Sequence, residues 1–206
     1  KVMAYVRINE PGKSKIYVLD ATDKYTPSHL IPQEVMYSNG LVIEKLGYNR
    51  YQGEWKTLWN EAQGFKNIVV LNAEIDEQGQ LKGSASVNSF DYTRVNRLQD
   101  VKKGTDKFIE KYYTADNPRV KIDSSSISNA DYDSLPLEQN FEFSETLAAS
   151  GDYKYFSINK FSGLEKNPFV ADNRFSEVFF GAFRKYFIIG NFTIPDDYSF
   201  EKKKKN

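Results

Sequence analysis

The chain has 206 residues, and its 28 lysines and arginines balance its 28 aspartates and glutamates, which argues against nucleic acid as the main partner because phosphate binding favours a basic surplus. It contains no cysteine, which excludes disulfides, cysteine-ligated zinc and thiol catalysis within these residues. No apolar run approaches the roughly 20 residues needed to span a bilayer, and the abundance of Tyr and Phe over Met favours strands over helices.

The first predicted element is a β-hairpin. Side chains alternate in character over residues 1–8, and the alternation resumes after a Pro-Gly pair at 11–12, which suits the central positions of a tight turn. With that turn, Lys1 lies opposite Thr22, and Asp20 is the diagonal neighbour of Lys1 on the same face of the hairpin. Diagonal neighbours are roughly 7–8 Å apart at the Cα atoms, so long side chains at these positions can meet.

Asp20 closes the second strand of this hairpin, because Ala-Thr-Asp and then two prolines cannot continue a ladder. A carboxylate at the end of a strand is held by the sheet and yet exposed, which suits a group in a functional site. The same carboxylate could instead cap the following turn with its side-chain oxygen. The residues alone leave both interpretations open.

The hairpin resembles the His strand and the Asp strand of the transglutaminase-like superfamily, which is related to the papain-like thiol enzymes. The two segments read Lys-Val-Met-Ala-Tyr-Val at 1–6 and Tyr-Val-Leu-Asp-Ala-Thr at 17–22. Through Asp23 and the segments 30–32 and 39–41, the chain is similar to a bacterial multi-domain branch of this superfamily. In that branch the core is followed by an all-β module of unknown function.

In that superfamily a Cys on a helix is followed by a His that opens one strand and an Asp that closes the next. The resemblance implies that Asp20 matches the triad Asp and that Lys1 occupies the position of the triad His. A Lys ammonium cannot accept a thiol proton as a neutral imidazole does, and without Cys there is no nucleophile. The chain is therefore predicted not to be an enzyme by this mechanism, and to be either a fragment of a catalytic domain or a protein with a degenerate core.

Two domains are predicted. Residues 1–62 are interpreted as the last strands of a transglutaminase-like core and a linker, with short strands at 41–43 and 55–58. Residues 63–206 are interpreted as a β-sandwich-like accessory domain that we expect to be incomplete at its C-terminal end. The boundary is placed near 60–64, where polar residues and Gly interrupt the pattern.

A second hairpin is predicted to join residues 68–75 to residues 80–87. The connecting Asp-Glu-Gln-Gly at 76–79 is typical of a type I turn with a Gly bulge. Asp76 and Glu77 could serve as calcium ligands, but no further acidic residues support them, so turn formation is favoured. Apolar and polar residues alternate along the second strand, which predicts that one face of the sheet is exposed to solvent.

An amphipathic helix is predicted next, with apolar residues at three- and four-residue steps from Tyr92 to Tyr112. Gly104 interrupts it at a cost of about 1 kcal/mol relative to Ala, so a kink or a break is expected there. Asn117-Pro118 ends the pattern. The helix is interpreted as packing on the sheet over the hydrophobic core, with partner binding as the alternative.

Further strands are predicted at 119–126, 137–147 and 153–161, arranged as a meander. Residues 186–194 are apolar on both faces, which predicts a central strand covered on two sides. The Asn-Pro-Phe at 167–169 and the Ile-Pro at 194–195 resemble the C-terminal module of the same family. The lysine run at 202–205 is interpreted as a solvated end rather than a nucleic-acid or membrane contact.

Together these elements predict an α+β fold, mainly antiparallel β, in which a β-sandwich-like module with one long amphipathic helix follows a β-hairpin remnant of a transglutaminase-like core. The resemblance implies a non-catalytic accessory, structural or binding module of a bacterial envelope protein, periplasmic or exported. No cofactor or metal is predicted, and His29 is interpreted as a loop residue. The expected partners are the rest of its own parent protein and a protein or glycan of the cell envelope.

Two alternative functions stay open. The chain could be part of an active thiol transferase or peptidase whose Cys and His lie outside these residues, with Asp20 orienting that His. It could also be a carbohydrate-binding β-sandwich that uses exposed Tyr and Trp. A coherent exposed aromatic strip would support this interpretation, and burial of Trp55, Trp59 and the Tyr pairs would remove it.

Overall fold

The computed structural model describes residues 1–163, 169–170, 173–175, 177–178 and 180–201. It confirms the predicted β-rich character, with 48% strand and 12% helix. The strands are β1 (Ala4–Glu10), β2 (Lys13–Leu19), β3 (Ser38–Gly47), β4 (Arg50–Leu58), β5 (Gly64–Ile75), β6 (Gln80–Phe90), β7 (Val120–Ser128), β8 (Leu137–Thr146), β9 (Ala148–Ser150), β10 (Tyr153–Tyr155) and β11 (Phe183–Thr193). The helices are α1 (Asp91–Val101) and α2 (Thr105–Ile109), and there is a 3-10 turn at Gln33–Val35 and a π turn at Glu110–Thr114.

A five-stranded sheet in the order β11-β5-β6-β8-β7 forms the centre of the described fold. β11 runs parallel to β5, and the other neighbouring strands are antiparallel. Along β5, β6 and β8 the odd-numbered side chains form the buried face, while most even-numbered side chains are exposed or half-buried. This is the period of two that a strand imposes, and it leaves one face of the sheet for the core and the other face open.

The predicted hairpin between β5 and β6 is confirmed, together with its turn. Asp76 accepts the backbone N–H of Gln80 at 2.8 Å through its Oδ1 atom, and Gly79 has a φ of 78°. Only Gly adopts such a φ without steric cost. Asp76 is therefore a turn residue.

A buried polar network fixes the helices on the core face of the sheet. Arg97 of α1 donates to Gln139 Oε1 of β8 at 2.6 Å and to the hydroxyl of Tyr113 at 3.1 Å. Tyr113 donates to the same Gln139 oxygen at 2.8 Å, and burial raises the pKa of Tyr113 to about 12, so its hydroxyl stays a neutral donor. Because buried polar groups need hydrogen-bond partners, this network determines how α1 sits on β8.

The prediction of a single long amphipathic helix from the periodicity is wrong. The helical conformation is interrupted between α1 and α2 at Gly104, whose φ of 141° lies outside the helical range. Phe108 of α2 is buried in the same core as the sheet residues. The apolar periodicity therefore reports a shared buried face and not an unbroken helix.

The observed layers also differ from the predicted sandwich. Among the described residues, the five-stranded sheet is accompanied only by the two-stranded ribbons β1-β2, β3-β4 and β9-β10. Its core face is covered by the helices and by Phe161, whose ring centroid lies 4.9 Å from that of Phe141 and 5.0 Å from that of Phe143. Helices and aromatic side chains thus take the place of a second large sheet.

β11 is an edge strand, so the prediction of a central strand covered on two sides is wrong. Two of its apolar side chains are largely exposed, Phe187 at 59% and Ile189 at 54%. A short apolar run indicates a strand but cannot indicate how many neighbours the strand has. The predicted strand at 153–161 is also shorter than expected, because only β10 forms and it pairs with β9 outside the large sheet.

Two other sequence predictions fall outside the described residues. They are the Asn-Pro of the segment at 167–168 and the lysine run at 202–205. None of the helices in the described part of the chain is both long and apolar enough to cross a bilayer.

We expect Gly83→Ala to lower the free energy of unfolding by about 1–3 kcal/mol, which is typical of overpacking. A Cβ at position 83 of β6 would lie 2.6 Å from the Cα and Cβ atoms of Ala73 on β5, so the paired strands would have to move apart. Urea denaturation measures the change. Gly53→Ala on β4 is the control, because its Cβ would meet only Leu41 Cδ1 at 3.4 Å, and a loss of the same size in both variants would contradict the explanation.

Candidate functional site

The register of the first hairpin brings Lys1 to Asp20. β1 and β2 pair from Ala4 opposite Leu19 to Glu10 opposite Lys13, with the Pro-Gly pair in the turn as predicted. Beyond the paired residues, the ammonium of Lys1 forms ion pairs with the carboxylates of Asp20 and Glu34.

Both oxygens of the Asp20 carboxylate have partners. Oδ2 pairs with Lys1, and Oδ1 accepts the backbone N–H of Thr22 at 2.9 Å and its hydroxyl at 2.8 Å. The side chain of Asp20 is only 3% exposed. Hydrogen bonds from Lys1 and then from Thr22 lower the pKa of Asp20 to about 2. Asp20 therefore caps the turn and also faces a charged partner, so the two interpretations of its role are compatible.

Lys1 is held as a cation at this place. Its hydrogen bonds to Asp20 and then to Glu34 raise the pKa of its amine above the ordinary value of 10.5. An amine with a raised pKa keeps its proton at neutral pH, so Lys1 can donate hydrogen bonds but cannot act as a general base.

The segment that follows Asp20 is anchored on the large sheet and on α1. Gln63 accepts the N–H of Ile31 at 2.9 Å and donates to the carbonyl of His29 at 2.6 Å. Tyr92 donates to the carbonyl of Ile31 at 2.7 Å. A buried cluster surrounds these bonds and contains Leu30, Met36, Phe65, Tyr92, Val95 and Ala182. The cluster contains residues from both sides of the predicted domain boundary at 62.

A pocket of about 340 Å³ lies where the hairpin, the 3-10 turn and α1 meet. Its lining includes Lys1 and Asp20 from the hairpin, Glu34 from the turn, and Asn96 and Gln99 from α1. The volume is within the range of small-molecule sites, about 300–1,000 Å³. Most of its lining residues carry polar groups, with acidic side chains around one ammonium.

The chemistry available in this pocket is hydrogen bonding and charge pairing. The chain has no thiol, and its only imidazole, that of His29, is not among the lining residues. Asp23, another lining carboxylate, accepts the N–H of Tyr25 at 2.9 Å and the hydroxyl of Thr26 at 2.7 Å. In the described part of the chain, no group of three or more His, Cys, Asp or Glu side chains is placed to hold a metal ion.

Several residues of the pocket were not singled out from the sequence. Glu34 lies in a turn-rich connection, where an acidic residue carries no special signal. Asn96 and Gln99 lie three positions apart and so share a face of α1, but neither the packing nor the partner-binding interpretation of the helix points to these two residues. No local pattern links residues 96 and 99 to the hairpin, because packing of the segment at 25–37 brings them together.

The aromatic side chains that a carbohydrate-binding interpretation needs are partly exposed. Trp55 is 69% exposed and Tyr51 is 64% exposed, and their spacing places them on one face of β4. Trp59 instead packs against Tyr37 and Phe183, with ring centroids 3.7 Å and 5.4 Å apart. The condition that would remove this interpretation, burial of Trp55, Trp59 and the Tyr pairs, is therefore not met.

A scan against protein-family models, a search of curated proteins and a search of solved structures each found no match to the chain. The transglutaminase-like resemblance thus rests on the residues of the hairpin and the segments that follow it.

We expect Lys1→Ala to raise the pKa of the Asp20 carboxyl from about 2 towards its ordinary value of 3.8. The rise should stop short of that value because the hydrogen bonds from Thr22 remain. A carboxyl ¹³C NMR titration in acid measures it. Asp100 is the internal control: burial raises its pKa, but hydrogen bonds from Lys111, Lys103 and Tyr112 lower it to about 2, and it should not respond. An unchanged Asp20 pKa would show that Lys1 does not pair with it in solution.

We expect Gln63→Ala to loosen the segment that forms the pocket. The variant leaves the N–H of Ile31 without its partner, and an unsatisfied buried group costs about 1–3 kcal/mol. Amide hydrogen exchange at Ile31 should therefore become at least about tenfold faster. Gln78→Ala in the exposed β5-β6 turn is the control and should leave this amide unchanged.

Proposed function

We propose that the chain is a non-catalytic accessory module of a transglutaminase-like protein, in which Lys1 occupies the position of the triad His. One observation carries the proposal, namely the ion pair of Lys1 with Asp20 at the end of the hairpin. At the matching place the thiol enzymes hold a neutral imidazole beside the acid. Here a cation sits on the carboxylate, and no thiol exists in the chain.

The pair has a structural role in this proposal. An ammonium with a raised pKa neutralises Asp20 and also holds Glu34, so it ties the hairpin to the 3-10 turn. Oδ1 of Asp20 already accepts from Thr22 and Oδ2 pairs with Lys1, and the side chain is only 3% exposed, so an imidazole would have to displace the ammonium to reach it. This occupancy favours the accessory role over an active thiol transferase or peptidase that uses Asp20.

The expected main partner is the rest of the parent protein, with the bacterial cell envelope as the proposed location on the resemblance alone. Two ribbons support such a partner, because each exposes apolar side chains. β1-β2 exposes Val6 and Ile8 on one face, and β3-β4 exposes Leu41 and Ile43 on one face. Exposed apolar faces of this kind are typical of surfaces that pack against another segment or protein.

Carbohydrate binding is a second candidate function. It is favoured by the exposure of Trp55 and Tyr51 on one face of β4, since aromatic rings with one free face are suited to stacking contacts.

The absence of catalysis is tested by incubating the chain with a glutamine-containing peptide and a fluorescent primary amine. We expect no labelled peptide above the level of a reaction without the chain, because neither a nucleophilic thiol nor an imidazole lines the pocket. An active transglutaminase serves as the positive control. Thiol-independent labelling by this chain would contradict the proposal.

The structural role of the pair predicts a pH-dependent effect of Lys1→Ala on thermal unfolding. Because the pKa of Asp20 is lowered to about 2, the contribution of its charge is fully present above its ordinary pKa and is lost as the pH falls towards 2. We expect Lys1→Ala to lower the Tm at pH 7 and to differ progressively less from the wild type as the pH approaches 2. Lys13→Ala, at the exposed hairpin turn, is the control, and equal shifts in both variants would argue against the role.

A further inference from the structure

The open face of the five-stranded sheet carries two rows of mostly short, uncharged side chains. The pairing register aligns them across five strands. The first row contains Ile189, Val70, Ser86, Asn140 and Ser126, and the second contains Asn191, Asn72, Ser84, Glu142 and Ser124.

The members of these rows on β5, β6, β8 and β7 line a groove of about 460 Å³, and the β11 residues lie beside it. Its lining includes Val70 and Asn72 of β5, Ser84 and Ser86 of β6, and the facing residues of β8 and β7. Four strands with a spacing of about 4.8 Å make a floor about 14 Å wide, measured across the strands. The groove can therefore hold a short extended chain that lies across the sheet.

The charge of the floor limits the chemistry of a ligand. Of the ten positions in the two rows, only Glu142 is charged, whereas 27% of the whole chain is charged. A phosphate-bearing or polyanionic ligand would find no cation on this floor. Ser hydroxyls and Asn amides both donate and accept hydrogen bonds, so the floor is complementary to a neutral ligand with many hydroxyl groups.

Beside the groove, the β11 edge of the open face is apolar. Phe187 and Ile189 of β11 lie beside Ile68 and Val70 of β5 on the open face, and the two β11 side chains are largely exposed. A sugar ring presents hydroxyl groups at its rim and C–H groups on its faces. The polar rows match the rim, and an aromatic ring with apolar neighbours matches a C–H face.

A peptide is less well matched to this groove. Peptides that bind sheets commonly add a strand at an edge, where backbone N–H and C=O groups are free. Along the floor, the backbone of β5, β6 and β8 is already paired with strands on both sides. A peptide across these strands would find side chains only.

We propose that this groove binds a neutral oligosaccharide, with Asn140, Glu142 and Asn72 bonding its hydroxyl groups and Phe187 packing on a ring face. The proposal rests on the second candidate function, carbohydrate binding. It places the site on the sheet rather than on the β3-β4 ribbon, where Trp55 lies opposite the apolar Leu41 and has Ile43 and Asn39 as its diagonal neighbours on β3.

The test is a ¹H–¹⁵N NMR titration of the whole chain with neutral oligosaccharides of glucose, mannose, xylose, galactose and N-acetylglucosamine. We expect at least one of them to shift the amides of β5, β6, β8 and β7 along the two rows. Asn140→Ala should weaken that binding about tenfold, which is the effect of losing one or two hydrogen bonds.

The matched control is Asn39→Ala on β3. Like Asn140, Asn39 lies on a strand and forms one side-chain hydrogen bond. Asn140 donates to Glu138 at 3.0 Å, and Asn39 accepts from Thr57 at 3.0 Å. Unchanged affinity in Asn39→Ala with weakened affinity in Asn140→Ala would support the groove. Circular dichroism of each variant verifies that the fold is retained.

Two results would overturn the inference. If sugar binds but Trp55→Ala abolishes it while Asn140→Ala leaves it unchanged, the site is the ribbon, and carbohydrate binding stands without the groove. If no neutral sugar shifts any amide of the chain, both carbohydrate binding and the groove fail. The accessory role based on Lys1 and Asp20 is tested separately and is unaffected by either result.

Discussion

The alternation of side chains along β5, β6 and β8 is the constraint on which the rest of the structure depends. Because successive side chains of a strand point to opposite faces, the odd-numbered residues share one apolar face. The helices α1 and α2 pack on this face and shield it from water. The Arg97–Gln139–Tyr113 network fixes that cover in one position. With α1 fixed, Tyr92, Asn96 and Gln99 are presented to the segment after Asp20, so the polar pocket is a consequence of how the helix packs on the sheet.

The pocket at Lys1 and the groove on the open face of the sheet differ in charge and in exposure to solvent. The pocket at Lys1 is charged and partly enclosed, and its carboxylates are already engaged by neighbouring groups. The groove on the open face is nearly uncharged, and its short side chains face solvent. The first is suited to holding elements of the chain together, and the second to meeting an external ligand.

Local chemistry was predictable from the sequence wherever a few adjacent residues decide it. The Pro-Gly pair at 11–12 set the register that brings Lys1 to Asp20, and Asp76 with Gly79 set the next hairpin. Properties that depend on distant residues were not predictable. The apolar run of β11 indicates a strand but not its edge position, and Gly104 predicts a kink or a break without deciding between them. Asn96 and Gln99 reach the pocket only through tertiary packing.

The parallel pairing of β11 with β5 has a consequence for folding. Gly64 is paired with Phe183, so the chain must close a long loop before this contact forms, whereas the antiparallel neighbours β5 and β6 are joined by a short turn. Because closure of long loops is slow relative to local pairing, the four antiparallel strands and α1 are expected to assemble first. β11 then docks late, as the last strand added to a nucleus that already contains the polar network.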